Sequence, residues 1–355
     1  AAFGVITVVG PRQAGQIEVA TFRRDERYTD GRHPDSVTFS DAREDALRRD
    51  FTINGLFCDP LANRVIDFVG GQADLKAGLI RAIGNPVDRF REDKLRLLRA
   101  VRFVATFGFR VEQGTLEAIR AMAAEISVVS PERIAAEMRR ILTDAHAPRA
   151  VRLMLESGLA AAVLPEIVPH DAAQSQQVER ALDALGRLAE ANFPLALATL
   201  VSWRADPETI PQIGRRWRLA NKEVERAAWL VAHRHALTGA RTRPWSSVQP
   251  ILIADGIEDL LAMSEAIAAA NSSDASDLAW CRMMLRQPRQ TLDPLPLLTG
   301  DDLMRHGIPP GPAYRTILDR VRQSQLDGQI HTPTEALALA QRLLAEGTGE
   351  VPKEA

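Results

Sequence analysis

Apolar positions fall in short β-branched runs at the start of the chain and settle into helical spacing later. Residues 4–9 (GVITVV) and 16–22 (QIEVATF) are two such runs separated by GPRQAG, a pattern that predicts a hairpin. A polar, turn-rich segment follows, RRDERYTDGRHPDSV. FTINGLFCD and RVIDFVG, joined by PLAN, predict a second extended pair. From about residue 85 onward the period lengthens, and the spacing predicts helices over 87–107, 114–125, 131–143 and 147–158. SPERI at 130–134 reads as a helix start, with Ser130 at the N-cap, Pro131 at the first helical position and Arg133 in the first turn. Beyond about residue 170 one amphipathic helix follows another, with polar or Pro-containing joints near 205–211, 241–249, 270–276 and 286–300.

Composition fits that picture. The chain has 355 residues, 46% hydrophobic and 25% charged, which is ordinary globular chemistry with length for two or three packed domains. Aromatics are only 5%, which favours a mostly helical body. The net charge of -2 argues against a generally basic nucleic-acid coat, so any such contact must be local. Cys58 and Cys281 stand far apart without metal-ligand spacing, which points to buried free thiols in a reducing cytoplasm. No apolar run approaches the ~18 residues needed to span a bilayer, and no secretory segment is visible, so a cytoplasmic protein without a membrane is expected.

One stretch departs from the overall charge. Residues 81–110 hold eight Arg plus Lys against three Asp plus Glu, and most of them lie in REDKLRLLRAVRF at 91–103. On a helical wheel Leu97, Leu98, Val101 and Val104 cluster on one side. Glu92, Arg96, Arg99 and Phe103 fall on the other, with Asp93 and Arg102 flanking them. A solvated, salt-bridged helix is one reading of this pattern. The other is chemical: Arg is a planar donor fork and ionised Asp is acceptor-only. The Watson–Crick edges of cytosine and adenine each offer an amino donor beside a ring-nitrogen acceptor, whereas guanine and uracil present the reverse order. Asp93 and Arg96 together therefore suit CTP and ATP, leaving Arg99 and Arg102 for phosphates.

Four motifs in order, RRDFTING at 48–55, DFVGGQADLKAGLIRAIGNP at 67–86, REDKLRLLRAVRF at 91–103 and ISVVSPERIAAEMRRIL at 126–142, resemble those of the bacterial-type tRNA nucleotidyltransferase and poly(A) polymerase family. LLTGDDLMRHGIPPGPAYRTILDRV and QLDGQIHTPTEALALA resemble the tail of its CCA-adding members, so the likeness covers nearly the whole chain. It implies an α+β nucleotidyltransferase head over 1–84, then mostly α-helical parts: a neck with the reader helix (85–170), a body (171–285) and a tRNA-binding tail (286–355).

The resemblance also implies roles. Arg49, Asp50 and Asn54 serve the ribose and phosphates, Asp93 and Arg96 read the base, and Arg99 and Arg102 serve the triphosphate or organise the readers. Arg133 supports the reader helix, with a purely structural salt bridge as the alternative. The loop RRDERYTDGRHP resembles the flexible element needed for switching to the final adenosine, which implicates Asp30, Arg32 and His33. A solvated surface loop is the competing reading there.

Nucleotidyl transfer needs metal ions held by clustered carboxylates, and Mg2+ is the expected cofactor. Glu18 in QIEVATFR matches the family's third carboxylate, but the Gly-Gly loop and Asp-x-Asp pair that precede it in the family are not in this sequence. The chain opens AAFGVITVV without Met, and the expectation is a longer parent with that pair upstream of Ala1. In that reading the chain as written binds nucleotide weakly or not at all and does not polymerise. The function implied is addition of CCA to tRNA 3′ ends from CTP and ATP, with tRNA as partner and no protein partner. The alternatives are a poly(A) polymerase or A-adding enzyme, and a non-catalytic RNA-binding fragment.

Overall fold

A computed structural model describes residues 5–9, 16–25, 37–204, 206, 208–308, 310–311 and 313–347. Two compact units make up the chain, Ala1–Val231 and Ala232–Ala355.

The first unit begins with small antiparallel pairs. β1 (Val5–Val9) and β2 (Gln16–Ala20) form the expected hairpin, with Thr7 opposite Glu18. β3 (Arg23–Asp25) pairs with β4 (Val37–Phe39), which the sequence pattern did not predict. Helix α1 (Ala42–Leu47) leads into the second expected pair, β5 (Leu56–Asp59) and β6 (Arg64–Asp67). The extended run expected from Phe51 starts later than its composition suggests, because Thr52–Asn54 is a 3-10 turn.

After β6 comes α2 (Gly71–Ala77). Asp67 holds its start, its carboxylate accepting from the backbone N–H groups of Val69, Gly70, Gly71 and Gln72 at 2.8–3.0 Å. Burial acts to raise the pKa of this carboxyl, but the four donors outweigh it and hold it below the usual carboxylate value. Gly71 packs where a side chain has no room: a Cβ there would lie 2.2 Å from the carbonyl oxygen of Thr52. β7 (Leu79–Ile80) then pairs in parallel with β8 (Arg110–Val111), a two-residue ladder too short to show as periodicity.

The helix expected over 87–107 is two helices, α3 (Pro86–Glu92) and α4 (Leu95–Phe107). They break at Asp93, whose backbone is extended (φ -149, ψ 107), while its Oδ1 accepts from the N–H of Leu95 at 3.0 Å. The side chain thus competes with helix continuation and starts a new helix instead. α4 ends at Gly108, in the left-handed region at φ 66. Nine of its thirteen positions are buried, so it is a central rod rather than a two-faced surface helix. Phe103, expected on the charged face, is buried in edge contact with Phe51 at 5.5 Å, and Arg96 is buried too.

α5 (Gln113–Met122) gives way to a 3-10 segment, Ala123–Val128, earlier than the expected end at 125. α6 (Pro131–Thr143) matches expectation; Ser130 stands at its N-cap but its side chain makes no capping bond. α7 (Ala147–Ser157) follows, and α4 packs against both α6 and α7. Helices Ala172–Gly186, Phe193–Val201 and Thr209–Trp217 complete the core of this unit, with Trp217 buried and donating to the carbonyl of Val163 at 3.2 Å. Asp171 is an N-cap that accepts from the N–H of Gln174 at 2.7 Å. Cys281 is buried, but Cys58 on β5 is exposed, against expectation.

The second unit is helical. Its last three helices, Gly300–Arg305, Ala313–Leu326 and Pro333–Gly347, enclose Leu303, Ile317, Val321, Ala336 and Ala340.

Candidate nucleotide site

The RRDFT turn is built by its own side chains. Asp45, buried on α1, lies three and four residues before Arg48 and Arg49 and takes both guanidinium groups, Arg48 at 2.6 Å and Arg49 at 3.0 Å. Arg49 also donates to the carbonyl of Asn54 at 2.6 Å and lies over the ring of Phe57. Asp50, buried beneath them, uses Oδ1 for the N–H of Phe51 (3.0 Å) and the amide of Asn54 (2.8 Å). Its Oδ2 accepts from Nε of Arg99 on α4 at 2.6 Å.

Below the turn a second polar network holds it to the neighbouring elements. The hydroxyl of Thr52 donates to Asp74 on α2 at 2.7 Å, and Asp74 is paired with Arg81 at 3.0 Å. Arg81 also meets Glu112 at 3.5 Å, and Glu112 caps α5 through the N–H of Thr115. Hydrogen bonding to Asp74, opposed by burial, raises the affinity of Arg81 for its proton. The N–H of Thr52 bonds the carbonyl of Arg81 and that of Ile83 bonds the carbonyl of Asp50, so the turn is sewn to the strand that leads to α3.

On the facing side, Arg133 from the first turn of α6 donates to Oδ2 of Asp93 at 2.6 Å. Arg96 is held by the carboxylate of Glu92, the carbonyl of Arg89 at 2.9 Å and that of Arg48 at 3.3 Å. These groups converge on a cavity of about 480 Å³ lined by Arg48, Arg49, Asp50, Asn54, Asp93, Leu95, Arg96, Arg99 and Arg133. Five arginines against two carboxylates make it a site for an anion. Asp93 and Arg96 at one end supply an acceptor and a donor.

Six of the seven residues expected to bind nucleotide therefore meet in one cavity, together with the supporting Arg133. Arg102 does not line it. Its Nε lies 2.8 Å from Glu137 on α6, both side chains are largely buried, and its guanidinium stacks on Phe103 at 4.1 Å. Desolvation, only partly offset by Glu137, lowers its affinity for a proton. Arg48 and Leu95 line the cavity without having been expected there. The spacing of Asp45 to Arg48 and Arg49 was the signal for the first.

Glu18 sits exposed on β2, and the described residues contain no group of three or more His, Cys, Asp or Glu able to hold a metal. The described side chains do not form a metal cage. Asp30, Arg32 and His33 lie outside the described residues.

Residues 1–81 match a family profile described as the Poly A polymerase head domain, and 108–170 match one described as the probable RNA and SrmB-binding site of polymerase A. A CCA-adding enzyme of Lacticaseibacillus paracasei is 34% identical over 323 residues, spanning 88% of this chain and 74% of the relative. The chain belongs to the CCA-adding enzyme family. Another CCA-adding enzyme, from Geobacillus stearothermophilus, is 32% identical over 93% of this chain and 80% of its own length. Among solved structures, the Bacillus stearothermophilus CCA-adding enzyme in complex with CTP is 26% identical with a TM-score of 0.68, covering 98% of this chain and 84% of that one. The Thermotoga maritima CCA-adding enzyme complexed with tRNA(CCA) shares the fold at 22% identity and a TM-score of 0.64, over 96% and 79% of the two chains. As a CCA-adding family member the chain is a nucleotidyltransferase, with a small sheet-containing head and a helical remainder. No helix among the described residues is long and apolar enough to cross a membrane.

Proposed function

We propose that the protein carrying this chain adds CCA to tRNA 3′ ends from CTP and ATP, selecting the base with side chains instead of a template. One observation carries the reading: the RRDFT turn, the residues either side of the α3–α4 break and the start of α6 supply Arg49, Asp50, Asn54, Asp93, Arg96, Arg99 and Arg133 to a single cavity. Its polarity follows the order of a nucleotide. Arg49 and Arg99 offer donors to phosphates, and Asp93 accepts from the exocyclic amine of cytosine or adenine while Arg96 donates to the ring nitrogen beside it.

Asp93 and Arg96 stay correctly presented because other groups hold them. Arg133 fixes one carboxylate oxygen of Asp93, and the Glu92 carboxylate and the Arg48 carbonyl hold Arg96. UTP and GTP would set an acceptor against Asp93 and a donor against Arg96, leaving buried polar groups unmatched, a strong basis for rejection. Arg102, tied to Glu137, serves the readers by fixing α4 to α6.

Mg2+ is the proposed cofactor. The cytoplasm is the proposed compartment, and the segment 286–355 the proposed tRNA-binding tail. Extension of a tRNA lacking CCA, with CTP, ATP or both plus Mg2+, tests the function, using this chain and a version extended at its N-terminus with the corresponding segment of a CCA-adding relative. Sequential addition of C, C and A is the expected product. Addition of A alone, or of long A tracts, would overturn the CCA assignment in favour of an A-adding enzyme or a poly(A) polymerase.

A further inference from the structure

A second cavity lies on the same unit, away from the nucleotide site. It measures about 320 Å³, with Val104, Phe109 and Leu153 in its lining and Arg110, Arg149 and Glu156 exposed around them. Arg152 also lines it but is committed to Glu179 at 2.8 Å. The guanidinium groups of Arg110 and Arg149 have neither an ion-pair nor a hydrogen-bond partner among the described residues, and the backbone N–H of Arg110 donates to the carbonyl of Gly78. An apolar floor under two uncommitted guanidinium groups suits a flat, uncharged body flanked by anions.

Phe109 is the end of a run of rings. Phe51 meets Phe103 at 5.5 Å, Phe103 stacks on Phe107 at 6.0 Å, and Phe107 touches Phe109 at 5.4 Å. Phe107 is 45% exposed, although phenylalanine has no polar atom to favour water. Phe109, which lines the cavity, is half-buried, and a partly open ring beside free guanidinium groups is what sequence-tolerant binding of unpaired nucleotides uses, the ring stacking on a base and the cations holding phosphates. The volume, at the low end of the range for ligand pockets, fits one nucleotide. Glu156 adds an acceptor that a ribose hydroxyl satisfies and a second phosphate would not.

We propose that this cavity seats one unpaired nucleotide of the RNA substrate, its base against Phe109 and its flanking phosphates on Arg110 and Arg149. The assignment rests on the reading of the protein as a tRNA-modifying enzyme and goes beyond it by naming where, away from the reacting end, the RNA is held. The residues at its mouth fall within or beside the segment 108–170 that matches a probable RNA-binding region.

The test is fluorescence anisotropy of a tRNA lacking CCA with this chain, its R110A/R149A double variant and Phe109→Leu, titrated between about 50 and 200 mM salt, where phosphate contacts dominate the response. The double variant should bind about 10-fold or more weaker, with the slope of log affinity against log salt reduced by roughly 1.5 for two lost phosphate contacts. Phe109→Leu should weaken binding by roughly 5-fold or more with the slope unchanged, because stacking is not ionic. R110K/R149K should recover the slope. Both arginines are exposed, so unchanged circular dichroism is expected and separates loss of binding from loss of fold. Unaltered tRNA affinity and slope in the double variant would overturn the assignment and leave the cavity to a protein partner. If the unsubstituted chain binds no tRNA, the functional reading falls together with it.

Discussion

Arg99 and Asp50, 49 residues apart, meet at 2.6 Å, and this pair closes the floor of the nucleotide cavity by joining α4 to the RRDFT turn. Asp50 is buried with both of its oxygens in use, so it organises the turn, whereas Arg99 is 32% exposed and keeps donors for a ligand. Arg99→Ala should lower CTP affinity about 10-fold or more, the scale of a charge-assisted hydrogen bond. It should also destabilise the fold by about 1–3 kcal/mol, because the Asp50 carboxylate is left without its cation. Isothermal titration and thermal melts would measure the two effects, and an Arg99→Ala variant with full CTP affinity would exclude Arg99 from the triphosphate.

Arg133 holds Asp93 at 2.6 Å, and the two readings of this bond separate in selectivity. If Arg133 orients the reader, Arg133→Ala lets the Asp93 carboxylate rotate, and discrimination of CTP against UTP should fall roughly 10-fold or more, the scale of one mismatched polar contact. Asp93→Asn should do the same by adding a donor where only an acceptor belongs. Incorporation of each nucleotide, compared as kcat/KM, provides the readout. A loss of melting temperature with selectivity intact would make the bond structural only.

The Arg102–Glu137 pair is far less exposed than most ion pairs of the molecule, at 13% and 7%. Glu137→Ala leaves a guanidinium buried without a counter-charge, which costs about 3 kcal/mol or more. In a unit of this size that corresponds to a fall in Tm of roughly 6–12 °C. The double change to Met at both positions should recover most of the loss, because two apolar side chains of similar volume need no partner. Failure of the double variant to recover would mean that the pair is more than a neutralised buried charge.

Arg139 on α6 donates to both oxygens of Glu223, at 2.8 and 2.7 Å. This bond, opposed by burial, holds the Glu223 carboxyl below its ordinary value of 4.5. A depressed carboxyl contributes stability that is complete above its unfolded value and is lost as pH falls through the folded one. Glu223→Gln should therefore lower Tm by a constant amount at neutral pH, and the difference from the unsubstituted protein should shrink as pH falls below the ordinary value of 4.5 and through the lower folded one. A gap that widens in acid would contradict the assignment.

Much of this architecture is legible in the sequence, and the places where it is not have physical causes. The spacing of Asp93, Arg96 and Arg99 on one stretch, and the compact RRDFT turn, point to one polar site before any fold is known. The break at Asp93 is invisible to periodicity because apolar spacing continues across it, while a local side-chain bond to Leu95 decides the backbone. Phe103 is misread, and Arg102 stands outside the cavity, for a related reason. A wheel divides a helix into one buried and one wet face, whereas α4 is enclosed on nearly all sides, so its outward arginine becomes an internal ion pair. Pairings such as β3 with β4 and β7 with β8 are two or three residues long, below what alternation can report.

The joint between α3 and α4 has one more consequence. Because Asp93 lies in the link, the angle between the two helices and the direction of the carboxylate proposed to read the base are set together. A wall of side chains can be made selective only by repacking it. A carboxylate mounted on a joint is aimed by the backbone itself, with Leu97, Leu98 and Val101 buried in the core behind it.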